Sequence, residues 1–326
     1  MFWYKPREGA TFVSHRQYKL SRPPEAPMSS IVLVLPPLIG AALLVLVLAV
    51  LAGRLGAQRT GTHPGALAAR WAGILAAGAL LGVVLALTGR GIPATGRLAY
   101  GGLLSITPCL VAALLILAVI LGEQTMPAPR ARHRYGLLAH RSVSTMVPRL
   151  PLVAVLGVLL VLLVHGIWAT AAASGCADGR CLERSGVDAE GNLVTSVSSP
   201  FPGAWYTVPT ALALAVLLLL AALAIVVIVR RRPSDDPADA LLRRRCATSV
   251  LGAVLLALGM TLVGHAGAAV LRIDGPESLI PWTGAVVGLV SLPWGAVMLV
   301  FPGLVVRGAA APAGRDRTAE PAQARR

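Results

Sequence analysis

Long apolar runs separated by short polar segments are the dominant pattern of this chain. Seven runs have about the 20 residues that an α-helix needs to cross the roughly 30 Å hydrocarbon layer of a bilayer. In lipid, each backbone amide must bond within its own segment, so such runs form helices. The pattern predicts an all-α, polytopic transmembrane helix bundle without a sizeable soluble domain, with spans at about 30–52, 67–87, 98–121, 150–172, 208–229, 247–271 and 279–306.

The last two predicted spans leave an alternative open. Only residues 272–278 separate them, and Pro281 and Pro293 interrupt the seventh run. Proline removes a backbone donor and can kink or break a helix. A re-entrant hairpin in place of two full crossings therefore remains an alternative for this part of the chain.

Composition agrees with a membrane protein, since 56% of the residues are hydrophobic and 13% are charged. The net charge of +15 could suggest nucleic acid binding in a soluble protein. Here the charges stand in short segments beside apolar runs, where basic residues orient helices and contact anionic lipid. We therefore expect anionic headgroups at the cytoplasmic face as the partner, and no nucleic acid.

Arginine placement predicts the orientation, because basic loops resist translocation. Nineteen arginines fall on one side, in segments 54–70, 130–149, 230–245 and 307–326, whereas the loops on the other side carry five. The first side is expected to be cytoplasmic. This places the protein in a bacterial plasma membrane with the N-terminus outside and the C-terminus in the cytoplasm.

Both ends of the chain differ from the apolar middle. Residues 1–29 form a polar tail with five basic residues on the side expected to be outside, against the charge bias. One hypothesis is that translation starts at Met28 and that residues 1–27 are not translated. The last segment, 307–326, is rich in Ala, Pro and Arg and is expected to be a disordered, basic cytoplasmic tail.

The loop between the fourth and fifth spans, residues 174–207, contains Cys176 and Cys181. Because this loop is predicted to be outside, where disulfides persist, the two cysteines are expected to form a bridge. A redox pair or a metal clip is the alternative, although the spacing is not C-x-x-C and the loop contains no histidine. Cys109 and Cys246 are interpreted as small packing residues.

Apart from Arg70, at the cytoplasmic end of the second run, the predicted spans contain no Asp, Glu, Lys or Arg, and their only imidazoles are those of His165 and His265. The missing charges argue against ion-coupled carriers, voltage sensors and retinal proteins. Both histidines lie in the outer half at similar depth. They either bind neighbouring polar groups, or bind a metal, ligate a haem or pass a proton. No cofactor is predicted beyond these two candidates.

Close helix contacts are expected where glycines recur every four positions. Gly78 with Gly82, and Gly284 with Gly288, have this spacing. Glycine has no side chain, so two backbones can approach each other at such positions. The two pairs are therefore predicted to lie at helix interfaces within the bundle.

No phosphate-loop, zinc-helix or nucleophile-turn motif is present in the chain. An enzyme is therefore not predicted. The leading hypothesis is a non-enzymatic accessory or scaffold component that contacts a membrane-protein partner or itself. The alternative is a permease or export channel for a small neutral or apolar substrate, and a weaker one is haem or metal binding by the two histidines.

Three loop passages carry a resemblance to a protein family. They are Glu123-Gln-Thr-Met-Pro127-Ala-Pro129, then Leu138-Ala-His-Arg141 with Val147-Pro148-Arg149, and Pro200-Phe-Pro202-Gly203-Ala-Trp205-Tyr206-Thr-Val-Pro209. Over residues 98–229 the chain resembles a group of uncharacterised multi-pass membrane proteins of actinomycetes, from which it departs by the inserted Ala204. The resemblance implies a helix bundle but no functional residue.

The proline-rich passage before the fifth span also presents two aromatic residues, Trp205 and Tyr206. Aromatic side chains of this kind are enriched at the level of the lipid headgroups. We expect the two rings to lie on the outer surface of the protein. There they either anchor the helix at the membrane interface or form a lid or partner-binding surface.

Overall fold

A computed structural model describes residues 64–89, 101–124, 146–174, 176–187, 191–231, 239–273 and 276–306. In this part of the chain six long helices occur: α1 Pro64–Gly89, α2 Gly102–Gln124, α3 Arg149–Ala172, α4 Ala204–Arg230, α5 Asp239–Val270 and α6 Leu279–Val300. A 3-10 turn, Pro276–Ser278, precedes α6, and a short helix α7, Pro302–Val305, follows it. The strands β1 Leu182–Val187 and β2 Leu193–Ser198 form an antiparallel hairpin between α3 and α4.

The predicted all-α membrane bundle is confirmed. All six long helices are long and apolar enough to cross a membrane, and they correspond to the second to seventh predicted spans. The first predicted span, the tail 1–29 and the tail 307–326 lie outside the described residues. Helix α6 runs through both Pro281 and Pro293 without interruption, and its 22 residues favour a full crossing over a re-entrant hairpin.

Helix α5 is the centre of the bundle. Of its membrane-length apolar stretch 83% is buried, whereas the corresponding values for the other five long helices are 17–39%. It contacts α2, α3, α4 and α6, and its Val250, Val254 and Leu258 are fully or almost fully buried. The outward faces of the surrounding helices carry exposed leucines and valines, as expected for side chains that face lipid.

Helices α5 and α6 touch each other backbone to backbone. A Cβ added at Gly252 would lie 2.5 Å from the amide nitrogen of Leu299, and one at Gly295 would lie 2.9 Å from that of Leu256. Neither backbone atom can give way without moving its helix. The contact therefore requires glycine at both positions.

The predicted contact at Gly284 and Gly288 is present, because a Cβ at Gly288 would lie 2.8 Å from Cγ2 of Val263. For Gly78 and Gly82, by contrast, no atom of the described residues lies within 4 Å of an added Cβ. Both of these glycines are exposed on α1. Glycine spacing alone thus identified one interface of the described bundle and not the other.

The backbone contact predicts that Gly252→Ala will loosen the bundle. The added methyl group meets the Leu299 amide and the Gly295 carbonyl, and overpacking of this kind costs about 1–3 kcal/mol. We expect the midpoint of thermal unfolding of the detergent-purified protein to fall by several degrees. Gly78→Ala is the matched control, and equal midpoints for the two variants would contradict the proposed contact.

Candidate functional site

The two predicted histidines lie on neighbouring helices in the interior of the bundle. His165 belongs to α3 and His265 to α5, and their exposed fractions are 1% and 6%. The ring of His165 faces the backbone of His265. The backbone of His265 is a polar partner for the His165 ring, whereas neither ring nitrogen of His265 has a hydrogen-bond partner among the described residues. The structure therefore brings both candidates together.

A third helix completes this region. Gly284 of α6 is adjacent, since a Cβ there would lie 3.5 Å from Nδ1 of His165 and 3.1 Å from Cβ of Ala266. Thr261, one helical turn before His265, is buried, and its hydroxyl is adjacent to the thiol of Cys109 on α2. Two buried imidazoles thus lie where α3, α5 and α6 meet.

Aromatic side chains connect the histidines to the segment before α4. The ring of Trp168 lies 5.4 Å from that of His165, and the ring of Phe201 lies 6.4 Å from that of Trp168 in an edge-to-face arrangement. Phe201 is completely buried and packs with Ala269 and with Ile273, which follows α5. This cluster closes the hairpin end of the bundle above the two histidines.

Cys176 and Cys181 are joined by a disulfide bond, which confirms the predicted bridge. The backbone amide of Ser174 donates to the carbonyl of Cys181, and the amide of Phe201 donates to that of Arg180, each at 2.9 Å. The bridged turn is therefore bonded to the end of α3 on one side and to the Phe201 segment on the other. We refer to residues 176–187 and 191–203, which include the hairpin, as the cap.

The two aromatic candidates at the start of α4 have different environments. Trp205 is partly exposed, and the guanidinium of Arg180 lies 6.0 Å from its ring. Tyr206 is buried, so it packs within the bundle and does not lie on its surface as expected. Its ring is near Gly101, where an added Cβ would lie 3.9 Å from Cε1. The surface expected for both rings is thus limited to Trp205.

Among the described residues, His165 and His265 have no third protein ligand beside them that would complete a metal site. In the described ranges, no group of three or more His, Cys, Asp or Glu side chains is placed to hold a metal ion. The two imidazoles are the candidate binding groups. Such groups donate and accept hydrogen bonds without carrying a fixed charge.

The opposite end of the bundle contains a buried cluster of charges that sequence reasoning missed. Arg231 pairs with Glu123 at 2.7 Å and also with Asp239, which in turn pairs with Arg243 at 2.8 Å. Glu123, Asp239 and Arg243 are 6%, 8% and 2% exposed. These contacts join the end of α2 to the segment between α4 and α5. We call these four residues the charge cluster.

Arg243 also donates hydrogen bonds to the last backbone carbonyls of α4. Its Nη1 lies 3.0 Å from the carbonyl oxygens of Ile228 and Val229 and 2.9 Å from that of Arg231. The last carbonyls of a helix have no partner within the helix, and a basic side chain can supply one. Cys246 extends the cluster, because its thiol donates to Glu123 at 2.9 Å and accepts from Arg70 of α1 at 3.3 Å.

The sequence contained a signal for this cluster. Asp239 and Arg243 are four residues apart, which is the spacing of an ion pair on one face of a helix. The predicted sixth span began at 247, whereas α5 begins at Asp239, so both residues were placed in the cytoplasmic connection before the span, where a short helix was expected. Arg243 was interpreted as a basic anchor at the membrane surface, and its burial corrects that interpretation.

The charge cluster predicts that replacing Arg243 will affect stability much more than replacing Arg230. Arg243→Met removes one of the two arginine partners of Asp239 and the donor to three backbone carbonyls, and breaking a buried pair in this way costs about 3–5 kcal/mol. We expect a large loss of thermal stability and of monodisperse protein on size exclusion. Arg230→Met, at an exposed position, is the control, and a similar stability of both variants would disprove a structural role for Arg243.

Comparison of the chain with protein-family models, with curated proteins and with solved structures finds no match in any of the three.

Proposed function

We propose that this multi-pass membrane protein is a non-enzymatic accessory or scaffold component of a bacterial plasma membrane, and that it binds a membrane-protein partner through its cap. The observation that carries this proposal is a group of three exposed aliphatic side chains on one face of the hairpin. The six membrane-length helices support the membrane assignment.

One face of the hairpin, which we call the aliphatic face, carries three exposed aliphatic side chains beside Glu183, Ser185 and Thr195. The register places Val187 opposite Leu193 and Glu183 opposite Val197, so that Val187, Leu193 and Val197 share this face. Their exposed fractions are 69%, 76% and 55%. Large aliphatic side chains that remain exposed on one face, outside the helices that cross the membrane, are typical of an interaction surface.

The cap presents this face on a fixed base. The disulfide, the hydrogen bond between Phe201 and Arg180, and the burial of Phe201 hold the hairpin's two ends. A surface that is already ordered loses less entropy when a partner binds. A two-stranded hairpin gains additional stability from a third element, which a partner would supply.

Close packing inside the bundle favours this function over the alternative of a permease. A passage between α5 and α6 would have to separate the contacts of Gly252 with Leu299 and of Gly295 with Leu256. Buried contacts between backbones resist that movement. A rigid bundle that carries an exposed cap agrees better with a binding component.

The hairpin end faces the outside and the arginine end faces the cytoplasm in this proposal. The disulfide supports this orientation, because such bonds persist in oxidising compartments. The exposed Arg149 and Arg230 lie at the ends of α3 and α4 that are opposite to the cap, where anionic headgroups would attract them.

Photocrosslinking tests the partner. A photoreactive phenylalanine analogue at Leu193, on the aliphatic face, is expected to give a discrete heavier protein adduct in intact cells of the native host. The same analogue at the exposed Ser196, on the other face, is the control. Lipid adducts alone, or equal yields of one adduct from both positions, would contradict a protein partner at this face.

Cysteine labelling tests the orientation. Thr195→Cys at the hairpin is expected to react with a membrane-impermeant maleimide on intact cells, because the residue is exposed on the cap. Arg149→Cys should react only after permeabilisation. The reverse order of labelling would invert the topology, and Cys109 and Cys246 are buried and should contribute little background.

A further inference from the structure

Strand β2 has an outer edge, and hydrogen bonds of the hairpin identify the residues that point there. The backbone amide of Glu183 donates to Oγ of Ser174, so it points away from β2. The carbonyl of Arg184 instead accepts from Oγ of Ser196, so it points towards β2. Hydrogen-bonded and non-hydrogen-bonded pairs alternate along an antiparallel ladder. Glu183 and the opposite Val197 therefore form a non-hydrogen-bonded pair.

The same alternation places the amides and carbonyls of Leu193, Thr195 and Val197 on the outer edge of β2. All three residues are exposed, and no backbone hydrogen bond joins them to a described residue beyond the hairpin. An exposed edge is a template for another strand, and proteins usually block it with charged side chains or proline. Strand β2 contains neither, so its edge is open to the addition of a strand.

The sequence of β2 is self-complementary in one antiparallel register. When Thr195 lies opposite Thr195 of a second copy, Leu193 lies opposite Val197 of that copy and Val197 opposite its Leu193. These pairs use all the outward amides and carbonyls of both strands, and each pair exchanges two backbone hydrogen bonds. The aliphatic side chains meet directly across the strands, and no like charges meet because β2 is uncharged. Any other register leaves at least one pair unused.

The symmetry of this pairing agrees with two copies that lie in one membrane. The two-fold axis that relates neighbouring antiparallel strands is perpendicular to their sheet. On the face of the hairpin opposite to the aliphatic face, Leu182 is buried in one cluster with Ala169 of α3 and Ala269 of α5, near the ends of both helices. The sheet thus covers the end of the bundle. An axis perpendicular to it runs along the membrane normal, as two copies inserted in the same direction require.

We propose that the cap joins two copies of this chain, through antiparallel pairing of their β2 strands about Thr195. Two-fold dimers are the commonest protein assemblies, and each uses one self-complementary patch of both subunits. The resulting sheet has four strands, which gives each hairpin the additional strand pairing that a two-stranded hairpin lacks. The aliphatic face remains exposed on the combined sheet. This contact therefore goes beyond the partner proposed for that face.

Disulfide trapping tests the register. The two cysteines of a Thr195→Cys dimer have Cα atoms about 5.5 Å apart, which is within the range of a disulfide. In oxidised membranes of the native host, we expect a band of twice the chain mass that a reductant removes. Ser196→Cys is the control, because two copies of this residue are offset along the strands, about 8 Å apart, and cannot be bridged.

A mixed pair gives an independent check of the same register. Val194 lies opposite Ser196 of the second copy when Thr195 is on the axis. Chains with Val194→Cys and chains with Ser196→Cys, carrying different tags, should therefore form a mixed disulfide dimer when they are coexpressed. Neither variant should form a dimer of this kind when it is expressed alone.

Proline variants test the backbone hydrogen bonds. Thr195→Pro removes an outward amide but no bond between β1 and β2, so the hairpin is retained while two copies pair less well. We expect the dimer fraction of the labelled full chain, counted by single-molecule photobleaching in lipid vesicles, to fall severalfold at an unchanged thermal midpoint. Ser185→Pro is the matched control, because its amide points away from β2 on the other edge of the hairpin, and it should leave the dimer fraction unchanged.

A wild-type chain that photobleaches only as a monomer would overturn the proposal, whether or not the variants fold. Equal dimer yields from Thr195→Cys and Ser196→Cys would also overturn it, since they would indicate random collision. A Thr195→Cys bridge to a different protein would do the same.

The photocrosslinking experiment keeps the two proposals separate. An adduct of twice the chain mass, from Leu193 or from Ser196, reports the pairing of β2 with a second copy. An adduct of any other mass, from Leu193 alone, reports a partner on the aliphatic face. Failure of the scaffold proposal and failure of the dimer proposal are therefore distinguishable.

Discussion

The close approach of α5 and α6 determines the arrangement of the other helices. In a membrane, an apolar surface gains nothing by leaving lipid for an apolar neighbour, so helices associate through close packing and polar contacts. Glycines at Gly252, Gly259, Gly288 and Gly295 let the two backbones touch along most of their length. With α6 held on one side, α5 is buried by α2, α3 and α4 on the others, and the two polar regions of the bundle are both built on it.

Those two regions deal with polar groups at the ends of the helices in different ways. At the arginine end, Arg243 bonds the final carbonyls of α4 and pairs with Asp239, so that buried charges neutralise each other. At the hairpin end, the cap covers the bundle with Phe201 and a bonded loop. Between them, the buried ring nitrogens of His265 lack a hydrogen-bond partner among the described residues, and His165 lies against the His265 backbone.

The fold was largely predictable because its signal is local. An apolar run of 20 residues specifies a helix whatever its neighbours are, and the cysteine pair within one loop specified its own bridge. The site was predictable only in its residue types, since imidazoles in apolar runs are conspicuous. Their proximity, the contact with Gly284 and the burial of Tyr206 depend on which helices are neighbours, and periodicity does not contain that information in helices that are apolar on every face.

The helix boundaries and the charge cluster were the main features that could not be predicted from the sequence, and the reason is the same for both. Hydrophobicity marks where the lipid core ends, whereas α5 begins eight residues before the predicted start of its span because Asp239 and Arg243 have partners there. Glu123 likewise stands two residues beyond the predicted end of the third span. A charge at the end of an apolar run is thus not evidence that the helix has ended.

The central position of α5 also has a consequence for biosynthesis. Helices α1 to α4 are made first, yet the element that α2, α3 and α4 pack against is inserted after them. Until then their inward faces, including that of His165, lack their neighbours on α5, and Arg243 is not yet present to bond the last carbonyls of α4. A ribosome that stalls before Asp239 would leave an inserted but unassembled set of helices, which membrane quality control would treat as an orphan. The helices can therefore pack into the complete bundle only after α5 has been inserted.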